Sequence, residues 1–414
     1  MKIYTNKIPN YIINVLTTYL LFSFTSLTMV AWGRYALLAI SVAVFLISAS
    51  KYCGGVKFTV EPFHFFMAVF AIYCSLTAIW AQTPKLAIYK ATTIFRSLLC
   101  FSIIYSHFKK YGSTSILFST IKWSGYAVAL YTISVYGVEK VLKAVEAERL
   151  GSDFTNINTI GMVVAVTCVI QIWEIIERKA SFDVFLLIPS IIIVAATQSR
   201  KAFIIIIVGT VGMILLKNMD NKKFYITIIK LAIGILFLVI MFTFLSKLSI
   251  FEGATNRLNS MFAGFKNTKE ADSSTLTRLK MIEIGMSEFK NHPILGIGMN
   301  NILPIIKLQL GTNSYSHNNY VDLLAGGGLI GFVLYYYMYI YILFNLFKYR
   351  NKNKSIFRIS IVLIFAMLVT DYGHVTYYSK MQWFYIMVHF LNIELLKGKA
   401  ELYGDNFYEN SECS

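Results

Sequence analysis

The feature that most constrains this chain is a series of apolar runs, each about 20 residues long, which is the length a helix needs to cross the hydrocarbon of a bilayer. Only a helix or a closed barrel satisfies every backbone group there without water. Spans are expected at 11–31, 34–50, 62–81, 91–108, 116–137, 157–175, 182–198, 200–216, 224–246, 319–347, 356–373 and 381–396. The sequence therefore predicts an all-α polytopic membrane protein with about 12 transmembrane helices. Composition agrees, with 57% hydrophobic and only 14% charged residues and a mean hydropathy of +0.61. Residues 1–414 read as a single integral membrane domain.

The formal net charge of +17 does not imply a nucleic-acid partner, because no basic domain exists to hold one. The cations sit in short clusters between apolar runs, such as KYRNKNK at 348–354. Their bias follows the positive-inside pattern with both termini in the cytoplasm. Basic residues facing an anionic lipid-linked substrate are the second explanation. The first apolar run is longer than a signal h-region and lacks a clear A-x-A cleavage site, so it reads as a retained helix. Cys53, Cys74, Cys100, Cys168 and Cys413 form no CxxC pair, and neither a disulfide framework nor a zinc site is expected.

This orientation puts a long loop, 247–318, between the ninth and tenth spans on the extracytoplasmic side. Loops of that length are more often functional than structureless. Leu276, Leu279, Ile282, Met286 and Phe289 recur at helical spacing, so a helix over 274–290 is expected, lying on the membrane surface or over a cavity. Pro293 and the GIG at 296–298 end it. The other sizeable outer loop is 138–156, and the tail 397–414 is expected to be a disordered cytoplasmic extension.

Gly326, Gly327, Gly328 and Gly331 match GxGxxG in letters only. No strand precedes them and no acid follows at the right distance, so close helix packing is the expected role. His64, His107 and His389 fall in or beside apolar runs and read as packing residues, and His292 as part of a turn. His374 follows Asp371 on an outer loop and is a weaker candidate for a polar site. His317 stands apart: it lies at the outer mouth of a helix between Ser316 and Asn318, where an imidazole can accept a proton near neutral pH. Against catalysis stands a solvated helix start with Asn318 as N-cap. Arg200 and Lys201 mark a span boundary, where snorkelling anchors are common. Arg278 lies on the expected loop helix, Arg149 in the other outer loop, and Arg96 within an apolar run where burial is costly. Arginine's fork matches phosphate oxygens, so several arginines around one cavity would suit a diphosphate. HExxH, P-loop, DxD and paired-carboxylate motifs do not occur, so an enzyme of this sequence is expected to work without metal, cofactor or nucleotide donor.

TQSRKAF (197–203), TRLKMIEIGMSEFKNHPILGIG (277–298) and SHNNYVDLLAGGGLIGF (316–332) occur in this order, after RLGSDFTNINTIG (149–161). Together they resemble the O-antigen ligase/polymerase superfamily of bacterial surface-polysaccharide assembly. The resemblance implies a GT-C-type fold in the bacterial plasma membrane. It also implies metal-independent, inverting transfer of a glycan from undecaprenyl diphosphate on the outer face of the membrane. Carried onto matching positions, it makes His317 the general base and gives Arg200 and Arg278 the diphosphate. Arg257 competes for the role of Arg278, with Arg96, Arg149, Asn318 and Asp371 as supporting residues. The implied partners are the lipid-linked donor, a glycan acceptor, the bilayer, and a flippase and chain-length regulator acting alongside.

The form of the 316–336 stretch looks closer to polymerases of O-antigen or capsule than to ligases, which transfer to lipid A-core. A flippase or transporter for the same lipid-linked glycan is a rival of a different class. It would place its charges near the membrane midplane rather than at one mouth.

Overall fold

The computed structural model describes residues 7–50, 58–111, 114–146, 149–219, 225–229 and 273–398. Its elements are α1 (Lys7–Ser26), α2 (Ala31–Ala49), α3 (Pro62–Leu76) with a 3-10 turn (Thr77–Ile79), α4 (Pro84–Tyr111), α5 (Thr114–Tyr136), α6 (Val138–Glu146) and α7 (Ile157–Arg178). They continue with α8 (Ser181–Thr197), α9 (Arg200–Asn218), α10 (Ser273–Asn291), α11 (Ile302–Leu310), α12 (Asn319–Tyr349), α13 (Lys354–Asp371) and α14 (Lys380–Leu396). No strand occurs among the described residues. Each expected span that falls on them is a helix, whereas most of 224–246 lies outside them. Five helices are long and apolar enough to cross a membrane: Pro62–Ile79, Pro84–Lys110, Ile157–Arg178, Arg200–Asn218 and Asn319–Tyr349. With the shorter apolar helices around them, they make a multi-pass membrane protein.

Burial sorts the helices. α7 and α14 are enclosed over most of their length and form the centre, with Trp173, Trp383, Phe384 and Phe390 fully buried. α9 is largely peripheral, packing on α7 and α13. Near one end of the bundle, Lys122 pairs with Glu174 and lies 3.0 Å from Asp183, all three buried. Charges taken out of water in this way persist only when paired, so this cluster pins α5, α7 and the start of α8 together.

The join between α8 and α9, which has almost no loop, is resolved by one residue. Gln198 takes a left-handed conformation (φ 45°), and its amide nitrogen donates to Ala144 O at 3.0 Å. The chain turns there and Arg200 opens α9.

Two elements of the long loop differ from the sequence-based picture. α10 forms where expected, but its buried line is Met281, Ile284 and Gly285, while Leu279 of the expected stripe is exposed. Gly285 lies so close to α12 that a Cβ there would come 2.4 Å from Val321 Cγ1. Beside lipid, an apolar stripe need not face protein, so hydrophobic periodicity alone did not identify the packed side. One turn before Met281 on this packed side stands Arg278.

The glycine run does more than seat a neighbouring helix, although Gly331 does so, an added Cβ there lying 2.9 Å from Tyr73 Cε1 of α3. Gly328 has φ 60° and ψ −164°, which breaks α12, and the backbone of 293–298 enters the break. Ile297 N donates to Ala325 O (2.9 Å), Gly298 N to Gly326 O (2.9 Å) and Leu329 N to Pro293 O (2.8 Å). Tyr73 Oη donates to Gly327 O at 2.6 Å and Trp80 Nε1 to Gly296 O at 3.1 Å. The break is therefore buried in protein and its polar groups are satisfied, the condition under which irregular backbone survives at membrane depth. From residue 399 onward the tail lies outside the described residues, as do 230–272 of the long loop and its flank.

Candidate active site

The start of α12 is fixed locally. Asn318 caps it, its side-chain oxygen accepting from Tyr320 N (3.0 Å) and Val321 N (3.2 Å). Ser316 Oγ donates to the buried Asp322 carboxylate at 2.9 Å. Between these anchors His317 adopts φ 56°, a left-handed conformation uncommon outside glycine. Such strain persists only where the surroundings over-determine it. It turns the ring away from the cap and onto Tyr315, with ring centroids 4.4 Å apart.

Four elements converge on that ring. His317 Nε2 lies 3.1 Å from Ser314 Oγ. Tyr315 Oη lies 3.3 Å from His374 Nδ1, on the loop between α13 and α14. Lys201, from the first turn of α9, donates to Gly373 O on the same loop. Arg278 of α10 is near enough to act electrostatically on His317, Tyr315 and Lys201. Burial, then the Arg278 and Lys201 cations and His374, push the His317 pKa down to about 4. Burial and Lys201 hold His374 down to about 4 as well. Both imidazoles are thus neutral at physiological pH, each with a lone pair available.

The remaining sequence candidates divide by position. Arg200 opens α9 beside Lys201 and is half-buried. Arg149 is a strut: Nε donates to Thr197 O at 2.9 Å and Nη2 bonds Asn158 Oδ1, clamping the α8–α9 turn to the start of α7. Asp371 lies behind the site, buried and bonded to Tyr336 Oη (3.0 Å), Thr376 Oγ1 and Gln382 Nε2 (3.3 Å). Asn319 joins this network, donating to Tyr336 Oη (3.0 Å) and accepting from Thr376 N (2.8 Å) and Tyr377 N (3.0 Å). The network holds the His374 loop against α12. Arg96 is exposed on α4 and faces Lys380 rather than His317. Arg257 lies outside the described residues.

Sequence reasoning passed over Lys201 as a functional group, did not weigh Ser314 or Tyr315, and gave His374 little weight. The adjacency of Lys201 to Arg200, and of Ser314 and Tyr315 to His317, was the available signal. Among the described residues no group of three or more His, Cys, Asp or Glu is placed to hold a metal ion.

A neutral imidazole beside two cations is an arrangement suited to deprotonating a neutral nucleophile next to an anionic leaving group. No curated protein matches the chain. Residues 185–336 match the family model described as O-antigen ligase, a stretch that runs from α8 to the middle of α12 and contains Lys201, Arg278 and His317. That match supports a relation to the O-antigen ligase/polymerase superfamily over this part of the chain.

Proposed function

We propose that this protein polymerises a bacterial surface polysaccharide, O-antigen or capsule, by joining undecaprenyl-diphosphate-linked repeat units on the outer face of the plasma membrane. The observation that carries the reading is the convergence of a neutral His317 with Arg278 and Lys201 at one mouth. His317 takes the proton from an acceptor sugar hydroxyl. The hydroxyl oxygen bonds to the donor's anomeric carbon as the carbon–oxygen bond to the diphosphate breaks, and the diphosphate leaves with that electron pair. A single displacement of this kind inverts the anomeric centre. Arg278, Arg200 and Lys201 stabilise the charge that develops on the leaving diphosphate. In the tautomer in which Nε2–H donates to Ser314 Oγ, Nδ1 carries the lone pair that acts as base.

The same cations regulate the base. Empty, they add to the effect of burial in holding His317 at a pKa of about 4, a weak proton acceptor. A bound diphosphate neutralises them and raises the basicity of the imidazole, so the base strengthens only when the donor is in place.

Ligation to lipid A-core is the second reading, favoured by the description of the matching family as O-antigen ligase. A flippase role is less supported, because the polar groups gather at one mouth rather than at the midplane. The test is transfer by the purified protein in nanodiscs supplied with lipid-linked repeat units. His317→Ala should lower turnover by about 10²- to 10⁴-fold, the usual contribution of a general base, while the protein stays folded. Undiminished turnover in that variant would remove the assignment. Polymers recovered on undecaprenyl diphosphate support polymerase, and glycan recovered on lipid A-core supports ligase.

A further inference from the structure

A cavity of about 310 Å³, with His374 in its wall, lies between α1, α7, α13 and α14. Its lining includes Thr28, Thr159, His374, Lys380, Gln382 and Tyr385, and no carboxylate. The volume falls at the lower end of small-ligand sites. His374 belongs to both places: it lines the cavity, and through Tyr315 it touches the His317 cluster.

The charges at the cavity's edge are unusual. Lys380 Nζ lies 5.4 Å from the Phe24 ring centroid, and Arg96 on α4 acts on it as a second cation. Among the described residues neither has a carboxylate partner. A half-buried lysine beside a second cation, without a counter-charge, is costly unless an anion joins them. The buried Lys122 is matched by two carboxylates, whereas Lys380 is matched by none among the described residues. A second observation lies deeper: the buried hydroxyl of Tyr385, on the cavity wall, has no hydrogen-bond partner. Buried hydroxyls are normally satisfied, so this one is open to a ligand or a water.

We propose that this cavity is the subsite for the acceptor, a second phosphate-bearing lipid-linked glycan. Its phosphates lie against Lys380 and Arg96, its sugars occupy the cavity with Thr28, Thr159, Gln382 and Tyr385 as polar contacts, and its reactive hydroxyl reaches His317 past His374. The inference rests on the glycosyl-transfer reading and adds to it a second phosphate site, separate from that at Arg278 and Lys201. A polymerase requires two such sites, because both of its substrates carry diphosphate.

Native mass spectrometry of the full-length protein with undecaprenyl phosphate as probe tests this directly. The wild type should bind two probes. The Lys380→Gln/Arg96→Gln variant should lose one of them, with affinity at that site falling at least about tenfold. Arg278→Gln should lose the other, and Lys380→Arg should keep both, separating charge from folding. In turnover assays Lys380→Gln/Arg96→Gln should raise the KM for the lipid-linked repeat unit as acceptor while leaving binding at the Arg278 site unchanged. One probe in the wild type, removed by Arg278→Gln alone, overturns the proposal. So does equal displacement of the Lys380-dependent probe by phosphatidylglycerol, which would make the site one for a phospholipid headgroup. If His317→Ala keeps full transfer while the Lys380-dependent probe is still lost, the anion site stands and the glycosyl-transfer reading fails. If His317→Ala is inactive and Lys380→Gln/Arg96→Gln still binds two probes, the reading stands and the second site does not.

Discussion

At His317 the backbone and the side chain serve different ends. The left-handed φ of 56° turns the ring out of the capping geometry that Ser316 and Asn318 impose on their own side chains. Asn318, a supporting candidate in the sequence, is occupied as a cap and prepares the site without facing it. The electrostatic setting gives a pH prediction. Protonated His317 cannot act as a base, and in the free enzyme that protonation is held down to about pH 4. The acid limb of kcat/KM, which reports the free enzyme, should therefore lie near that value. The acid limb of kcat reports the bound complex, where diphosphate offsets Arg278 and Lys201, and it should lie at higher pH. Coincident limbs in a pH–rate profile would mean that the cations are not neutralised by the substrate. A cluster of this kind was only partly legible in the sequence. His317 and Arg278 stood out by type and place, but their meeting with Lys201 and His374 depends on contacts across 173 residues of chain, from 201 to 374, that no local spacing encodes.

At the scale of elements, the helices were legible because period and length dictate them, down to the loop helix whose ends match within a residue. Its orientation was not. Both faces of α10 carry apolar residues, and the choice between them is made by Gly285, which lets α12 approach, and by Ala325 and Ile302 opposite. That choice turns Arg278 toward the site. The glycine break in α12 was missed for a related reason, because a run of glycines in an apolar segment reads equally well as a helix-packing surface. Gly328 and Gly327 distinguish the two roles. An added Cβ at Gly328 would sit 2.2 Å from Ile294 O, on a backbone that disfavours any side chain. At Gly327 it would meet the flexible Met299 sulfur at 3.2 Å. Gly328→Ala should cost upward of about 1–3 kcal/mol from backbone strain alone, and Gly327→Ala clearly less. Thermal unfolding in nanodiscs compares them, and equal losses would argue against the break as a required feature.

For the molecule as a whole, the charged residues fall into separate stations along the bundle. The Lys122–Glu174–Asp183 cluster sets one buried cation against two carboxylates, with Arg178 3.9 Å from Glu174, so removing Lys122 leaves both carboxylates without their buried partner. Lys122→Met should destabilise the protein by about 3–5 kcal/mol, the usual result of breaking a buried ion pair from one side. Adding Glu174→Gln and Asp183→Asn should recover much of the loss. Denaturation of the single and triple variants checks this, and a harmless Lys122→Met would mean that the cluster contributes nothing to folding. The clustering of Lys and Arg in the sequence announced a membrane protein, but it could not separate a compensated station from an uncompensated one. That distinction depends on which helices become neighbours.

The broken α12 also bears on the order in which the protein is made. Residues 293–298 leave the ribosome before 319–349, yet their backbone groups pair with carbonyls and amides of the later helix. Until the glycine run arrives, that segment has the earlier Trp80 as a partner for Gly296 O but lacks those that α12 supplies to Pro293, Ile297 and Gly298. Once α12 enters the bilayer, its interrupted hydrogen bonds make docking of the waiting segment strongly favourable. The loop that carries Arg278 is thereby drawn down onto His317 in the same event. Assembly of this mouth is thus tied to completion of the tenth expected span.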